Sequence, residues 1–111
     1  MQRLRPTLLR PRLLLLALAL PIVGFADEGK GLYNKSCSSC HGTDGRGQTK
    51  IGLKLGAKDL SQSKLTDAEI EKQIREGKAG DDGKLKMPSF KDALTPEEMK
   101  VLVAYVKAFR K

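Results

Sequence analysis

The spacing of apolar residues is clearest near the C-terminus, where it predicts an amphipathic helix over residues 95–109. Apolar side chains recur there at intervals of three and four residues, which places them on one helix face. They are Met99, Leu102, Val103, Val106 and Phe109. Thr95 is predicted as the N-cap, Pro96 suits the first helical position and Glu98 closes a capping box, so the start of this helix is well defined.

The same spacing predicts a second helix over residues 66–76. Ile70 and Ile74 form one apolar stripe on it. Thr66 and Glu69 have the spacing of a capping box at its start, and a glycine follows its last residue. We therefore expect this helix to pack one face against the rest of the domain.

A third helix is predicted over residues 27–41, with Leu32 and Tyr33 as its apolar side chains. Gly29 is a poor helix former one turn before an aromatic residue, and we interpret it as the place where another helix crosses closely. Tyr105, beside the apolar face of the C-terminal helix, is the side chain predicted to meet this segment. The first and last predicted helices are therefore expected to cross.

Both cysteines and the only histidine of the chain lie within one short stretch, Cys37-Ser38-Ser39-Cys40-His41. Cys-x-x-Cys-His is the spacing of a c-type haem attachment site. Two thiols on one face of a helical turn can each add to a vinyl group of the haem and form a thioether. The imidazole of His41 follows on the same face and can become the proximal ligand of the iron.

Three other interpretations of this stretch are weaker. A thioredoxin-like redox pair needs a scaffold of alternating strands and helices, which the pattern of this chain does not predict. A zinc site normally needs four ligands, whereas the chain has one cysteine pair and one histidine. A disulfide between residues three apart would close a very small loop and would constrain little.

Residues 42–60 are polar and rich in glycine, and they predict a loop that wraps one edge of the haem. Arg46 and Gln48 are candidates to meet a haem propionate, although each could equally be a solvated loop residue. The function of this loop is thus predicted from its backbone rather than from its side chains.

A second loop is predicted over residues 78–92, with Met87 and Pro88 near its centre. Pro88 restricts the residue before it to an extended conformation, so Met87 can present its thioether to a metal without a helix behind it. Phe90 would then pack against the haem, whereas Met99 is interpreted as a core residue of the last helix. We assign Met87 as the sixth ligand; a lysine ligand and an open sixth position are the alternatives.

The N-terminus has the organisation of a secretory signal peptide. Four arginines precede an apolar run over residues 13–23, and Gly24 and Ala26 are the small residues expected at a cleavage site. The apolar run is shorter than the about 20 residues that span a bilayer, so no stable membrane insertion is expected, and an uncleaved anchor is the less favoured alternative. We predict that residues 1–26 are removed and that residues 27–111 form one domain in the periplasm.

The net charge of the whole chain is +8, with 21 basic and 13 acidic residues. Without the four N-terminal arginines the predicted mature domain has 17 basic residues and a net charge of +4. No groove-reading element of basic and aromatic residues is present, which argues against nucleic-acid binding. A domain this small usually needs a further stabilising element, and we expect the chain without haem to be largely unfolded.

These motifs together resemble those of the class I c-type cytochromes, in particular the small bacterial monohaem cytochromes c. The resemblance covers the whole predicted mature domain. Its most specific element is the Cys37–Gly42 stretch, followed by Met87-Pro88-Ser89-Phe90. Gly29 with Tyr33, and Tyr105 with the valine after it, resemble the crossed terminal helices of that family.

The resemblance implies an all-α fold, with three to four short helices and glycine-rich loops around one covalently bound haem c. It implies that Cys37 and Cys40 carry the thioethers, that His41 is the proximal ligand and that Met87 is the distal one. One feature departs from the family. Many members have a proline whose carbonyl accepts the ring N–H of the proximal histidine, and residues 48–56 contain none. We expect a backbone carbonyl near residues 51–53 to take its place.

The predicted function is that of a periplasmic electron carrier that is not an enzyme. We expect a monomer that contacts donor and acceptor proteins briefly, with Lys50, Lys54 and Lys58 as a positive run that could guide docking. The alternatives are a haem subunit of a larger dehydrogenase or oxidase, a haem sensor or peroxidase with an open sixth position, and a thiol protein without haem.

Overall fold

The structure, a computed structural model, describes residue 3 and residues 24–111. The apolar run of the predicted signal peptide and three of its four arginines therefore lie outside the described residues. No helix within the described residues is long and apolar enough to cross a membrane.

The described residues form five α-helices, one short 3-10 helix and one antiparallel pair of strands. The predicted all-α architecture is confirmed, with more helices than expected and a small hairpin in addition. In chain order the elements are α1 (Phe25–Ser36), α2 (Ser38–His41), α3 (Lys50–Leu55), the 3-10 helix (Leu60–Gln62), α4 (Asp67–Glu76), β1 (Lys78–Ala79), β2 (Leu85–Met87) and α5 (Pro96–Lys107).

Helices α1 and α5 cross at Gly29, as the sequence predicts. A Cβ atom at this glycine would lie 3.0 Å from Cβ of Tyr105, so a larger side chain would push the helices apart. Tyr33, fully buried, packs its ring 5.2 Å from the ring centres of both Tyr105 and Phe109. This aromatic cluster joins the first helix to the end of the last one.

The core lies where α5 packs on α1 and α4. Met99 is 3% exposed and is a core residue, as predicted. The other buried apolar residues around it are Ile70, Ile74, Leu94, Leu102, Val103 and Val106. The apolar stripes of the two predicted helices therefore meet each other.

Both predicted capping boxes are present. The hydroxyl of Thr66 accepts the N–H of Glu69, and the carboxylate of Glu69 accepts the N–H of Thr66. Thr95 and Glu98 make the same pair of bonds at the start of α5. Such caps satisfy N–H groups that the helix itself leaves free, and each contributes about 0.5–2 kcal/mol.

The helix predicted over residues 27–41 is in fact two helices. The chain bends at Cys37, whose φ of −122° and ψ of −36° fall outside helical values, and α1 begins two residues earlier than predicted. The bend reorients the short helix α2 relative to α1. The haem-attachment motif therefore occupies a separate turn.

Both predicted loops contain regular structure. Helix α3 lies within residues 42–60, where Thr49 accepts the N–H of Gly52 and Gly56 ends the helix with a φ of 72°. Strands β1 and β2 form a hairpin within residues 78–92. Both elements are too short for their periodicity to stand out, since α3 has six residues and the strands two and three.

The crossing at Gly29 can be tested with a matched pair of substitutions. Gly29→Leu should lower the free energy of unfolding by about 1–3 kcal/mol, because the new side chain would overlap Tyr105. Gly31→Leu, in the same helix, has nothing within 4 Å of its Cβ position and should not destabilise the protein. Guanidinium unfolding of the two haem-loaded variants, followed by circular dichroism, measures the difference. If both variants lost the same free energy of unfolding, the close crossing of α1 and α5 at Gly29 would be contradicted.

Candidate haem site

Helix α2 places the two cysteines and the histidine on one turn. The N–H groups of Cys40 and His41 both donate to the carbonyl of Cys37, at 3.2 and 3.0 Å. Gly42 ends this turn with a φ of 80°, a left-handed conformation that favours glycine. The three predicted attachment residues are therefore held by the backbone of a single helical turn.

Two segments bind the carbonyl groups at the end of this turn, the loop that follows it and helix α1. The hydroxyl of Thr49 donates to the carbonyl of Cys40 at 2.8 Å, and the N–H of Gly47 donates to that of His41 at 2.7 Å. The buried hydroxyl of Tyr33 donates to the carbonyl of Gly42 at 2.5 Å. Carbonyl groups that a helix end leaves free are thus satisfied one by one, which fixes α2 in the domain.

The two thiols are half-buried and are not joined by a disulfide. Burial, and to a lesser extent the neighbouring Cys40, raises the pKa of Cys37 to about 11. The thiol of Cys37 therefore keeps its proton at neutral pH. An uncharged thiol is compatible with the apolar residues around it.

All four predicted site residues line one cavity. Cys37, Cys40, His41 and Met87 surround a volume of about 120 Å³. The remaining walls include Leu55, Ala57, Pro88 and Phe90. A second, narrower cavity of about 50 Å³ also touches Cys37, His41 and Met87, and continues to the core residues Ile70, Ile74 and Val106. The fold thus brings α2 and the end of β2 to the same apolar space.

The ring of His41 is oriented by a backbone carbonyl. Its Nδ1 lies 3.1 Å from the carbonyl oxygen of Lys58, which accepts the ring N–H when that nitrogen is protonated. Nε2 then remains as the donor atom available to a metal. The expectation that a backbone carbonyl accepts this N–H is confirmed, but its expected place near residues 51–53 is wrong, because those residues lie in helix α3. Lys58 lies in the irregular segment after that helix.

Gly47 packs against the carbonyl that orients His41. A Cβ atom on it would lie 2.7 Å from the oxygen of Ala57 and 3.1 Å from that of Lys58. Its φ of 73° also favours glycine. A side chain at this position would therefore displace the acceptor of the His41 ring.

Met87, the last residue of β2, is held against helix α4. Its sulfur lies 3.8 Å from Nε2 of Gln73, which donates to it. The chain beyond it is tied to the end of α4, since Phe90 N–H donates to the carbonyl of Ile74 at 3.0 Å and the Ser89 hydroxyl donates to that of Arg75. All three of these contacts come from α4, which therefore fixes the position of the thioether.

Gln73 is a site residue that the sequence reasoning missed. It lies on the apolar face of α4, between Ile70 and Ile74, and lines the cavities around Met87. The sequence offered one signal for this role, since Gln73 is a polar residue within the apolar stripe of the helix.

Arg46 and Gln48, the candidates for propionate contacts, are exposed and line none of the cavities that contain Met87. A cavity of about 420 Å³ on the outer side of Met87 is lined instead by other cations. These are Lys58, Lys78 and Lys86, and the same lining includes one acidic residue, Asp81. The positive charge near the site therefore comes from segments on both sides of α4.

The donor set of these cavities fits a covalently attached haem. Two thiols one turn apart match two vinyl groups, and imidazole and thioether groups are both ligands of haem iron. Apolar walls from α4, α5 and the Pro88–Phe90 segment suit a flat apolar ring.

Comparison with known proteins identifies the family. The family model for cytochrome C oxidase, cbb3-type, subunit III matches residues 24–106. Among solved structures, the c-type cytochrome KustC0563 is 40% identical, with a TM-score of 0.64, over 75% of this chain and 98% of that one. Both results concern the domain that carries the cavities described above.

Two curated relatives are more distant. The cbb3-type cytochrome c oxidase subunit CcoP of Azospirillum brasilense is 29% identical over 85 residues, which are 73% of this chain and 27% of that protein. Cytochrome c6 of Gloeothece citriformis is 29% identical over 84 residues, 75% of this chain and 70% of that protein. The chain thus spans about a quarter of the oxidase subunit and most of the small cytochrome. It belongs to the family of cytochrome C oxidase, cbb3-type, subunit III, and is a c-type cytochrome domain that carries one covalently attached haem c.

Proposed function

We propose that this protein is a one-electron carrier of the periplasm, with His41 and Met87 as the axial ligands of its haem iron. The main support for the proposal is that His41 and Met87 line the same cavity as the two cysteines. When bound, the haem supplies the Fe(II)/Fe(III) couple. Cys37 and Cys40 hold it through thioethers, and the chain makes or breaks no substrate bond.

The contacts of the two ligands suit rapid electron transfer. The ring of His41 is restrained through Nδ1 by Lys58, and Met87 is restrained by Pro88 and by the amide of Gln73. Side chains that are fixed before the iron changes its charge need little rearrangement afterwards. A neutral thioether also favours Fe(II), so His/Met ligation raises the reduction potential.

The periplasmic location is part of this proposal. We infer that residues 1–26 are a cleaved signal peptide and that residues 27–111 are the mature domain. Cleavage there would remove the first two residues of α1, Phe25 and Ala26, and would leave the crossing at Gly29 intact. N-terminal sequencing of protein isolated from periplasm tests this point.

The second candidate function is that of a permanently bound subunit of a larger oxidase. It is favoured by the similarity to part of the oxidase subunit CcoP. Size-exclusion chromatography with light scattering, applied to extracts of the native cells, separates the two candidates. A free carrier elutes as a monomer, whereas a subunit elutes with its complex.

Removal of the proposed distal ligand should change the spectrum of the ferric protein. Met87→Ala should abolish the weak long-wavelength charge-transfer band of methionine-ligated haem and allow the ferrous protein to bind carbon monoxide. Met99→Leu, which replaces the buried methionine of α5, is the control and should keep the band. If the wild type lacks the band and binds carbon monoxide readily, the sixth position is open and the sensor or peroxidase alternative is favoured.

Substitution of Gly47 should change the reduction potential through the His41 ring. Gly47→Ala should displace the Lys58 carbonyl, make the imidazole a weaker donor to Fe(III) and so raise the midpoint potential. Gly56→Ala is the matched control, because Gly56 has nearly the same positive φ but nothing within 4 Å of its Cβ position. Both variants should lose about 1–2 kcal/mol of stability through backbone strain. Equal potentials in the two variants, measured by redox titration, would contradict this role of Gly47.

A further inference from the structure

The C-terminal end of α4 is joined to the segment that carries Met87. The last carbonyl groups of a helix have no partner within the helix itself. Here the carbonyl of Ile74 accepts the N–H of Phe90 at 3.0 Å, and the carbonyl of Arg75 accepts the hydroxyl of Ser89. The end of the helix is therefore satisfied by the chain that directly follows the proposed sixth ligand.

Gly77, the residue after α4, lies directly against the backbone of this segment. A Cβ atom on it would overlap the carbonyl oxygen of Met87 and would lie 2.9 Å from both the carbonyl carbon of Pro88 and the nitrogen of Ser89. These neighbours are backbone atoms, which cannot turn aside as the end of a side chain can. The next residue, Lys78, pairs with Met87 across the hairpin. Two consecutive residues after α4 thus fix the backbone of Met87.

The backbone conformation of Gly77 does not by itself require this close packing. Gly83, in the turn of the same hairpin, has a φ of 77°, close to the 75° of Gly77. Both values are left-handed and favour glycine. Gly83, however, has no atom of the described residues within 4 Å of its Cβ position. A comparison of the two glycines therefore isolates the contact with residues 87–89 from the effect of φ.

The position of the Met87 backbone limits how far its thioether can reach toward the iron. A neutral thioether favours Fe(II), so its bond to Fe(III) is the weaker one and depends more on placement. Groups in a functional site must be held within about 0.5 Å of their productive position. Displacement of this backbone by the bulk of a methyl group would exceed that margin.

We propose that Gly77 is the positioning residue of the sixth ligand. Because it has no side chain, the chain that leaves α4 can pass against residues 87–89 and hold the thioether of Met87 at the depth of the haem site. Release of this packing, which we call the Gly77 contact, is the step that opens the sixth position to other ligands. The inference rests on the proposed function and adds the residue that keeps Met87 in place.

Binding of imidazole to the ferric, haem-loaded protein tests the proposal, because imidazole reaches the iron only after the thioether has left it. Gly77→Ala should raise the rate of imidazole binding at least about tenfold and weaken the long-wavelength band, since the methyl group displaces the Met87 backbone. Gly83→Ala, the matched control, should change the rate less than about twofold, because it adds the same backbone strain without the contact.

The two rates are compared at guanidinium concentrations that give both variants the same free energy of unfolding. A general loss of stability then affects both variants equally, and the remaining difference reports on the Gly77 contact. Equal rates for Gly77→Ala and Gly83→Ala under these conditions would overturn the proposal.

Ser89→Ala provides the test if Gly77→Ala does not accumulate in its haem-loaded form. This substitution adds no atoms and removes one hydrogen bond between α4 and the Met87 segment. It should raise the rate of imidazole binding about threefold. Hydrogen exchange at the amide of Phe90, which is bonded to the same helix end, should quicken by a similar factor. In that case a rate equal to that of the wild type would contradict the proposal.

The wild-type protein separates failure of this inference from failure of the proposed function. If the wild type lacks the long-wavelength band and its rate of imidazole binding rises without saturation, Met87 is not the sixth ligand and both proposals fail. If the band is present and the rate saturates at high imidazole concentration, the ligation by Met87 stands. Equal behaviour of the two glycine variants would then overturn the role of Gly77 alone.

Discussion

The binding of three consecutive carbonyl groups, those of Cys40, His41 and Gly42, is the constraint on which the rest of this structure depends. The first two are bound by the loop that follows α2, through Thr49 and Gly47, and the third is bound by α1, through Tyr33. A helix of four residues has too few internal hydrogen bonds to be stable by itself. The turn that carries the attachment residues is therefore defined by the loop after it and by the helix before it.

These bonds connect the site to the crossed terminal helices. Tyr33 reaches Gly42 from α1, and its ring belongs to the aromatic cluster with Tyr105 and Phe109. Phe109 in turn packs so closely on Gly45 that a Cβ atom there would lie 2.8 Å from its ring. The close approach at Gly29 thus does more than build a core, because it positions Tyr33 and Phe109, which hold the start of the loop after α2.

The two sides of the site are supported differently. The His41 side is enclosed by backbone hydrogen bonds and by glycines that admit no side chain. The Met87 side depends on a short hairpin with exposed residues and on contacts with the end of α4. The Met87 side is therefore the more open one, with Leu85 exposed on its hairpin and with Lys78 and Lys86 lining the outer cavity.

Local patterns in the sequence determined the attachment motif, the helices α4 and α5 with their capping boxes, and the close approach at Gly29, because each depends on residues a few positions apart or on the small size of one residue. The family and its haem followed from the same motif. Helix α3 and the hairpin were missed, since elements of two to six residues show no clear period.

Only the tertiary structure selected Lys58 as the acceptor for His41 and placed Gln73 beside Met87. A backbone carbonyl has no signature in the sequence, and the contact between Gln73 and Met87 joins residues from different elements whose distance is decided by packing.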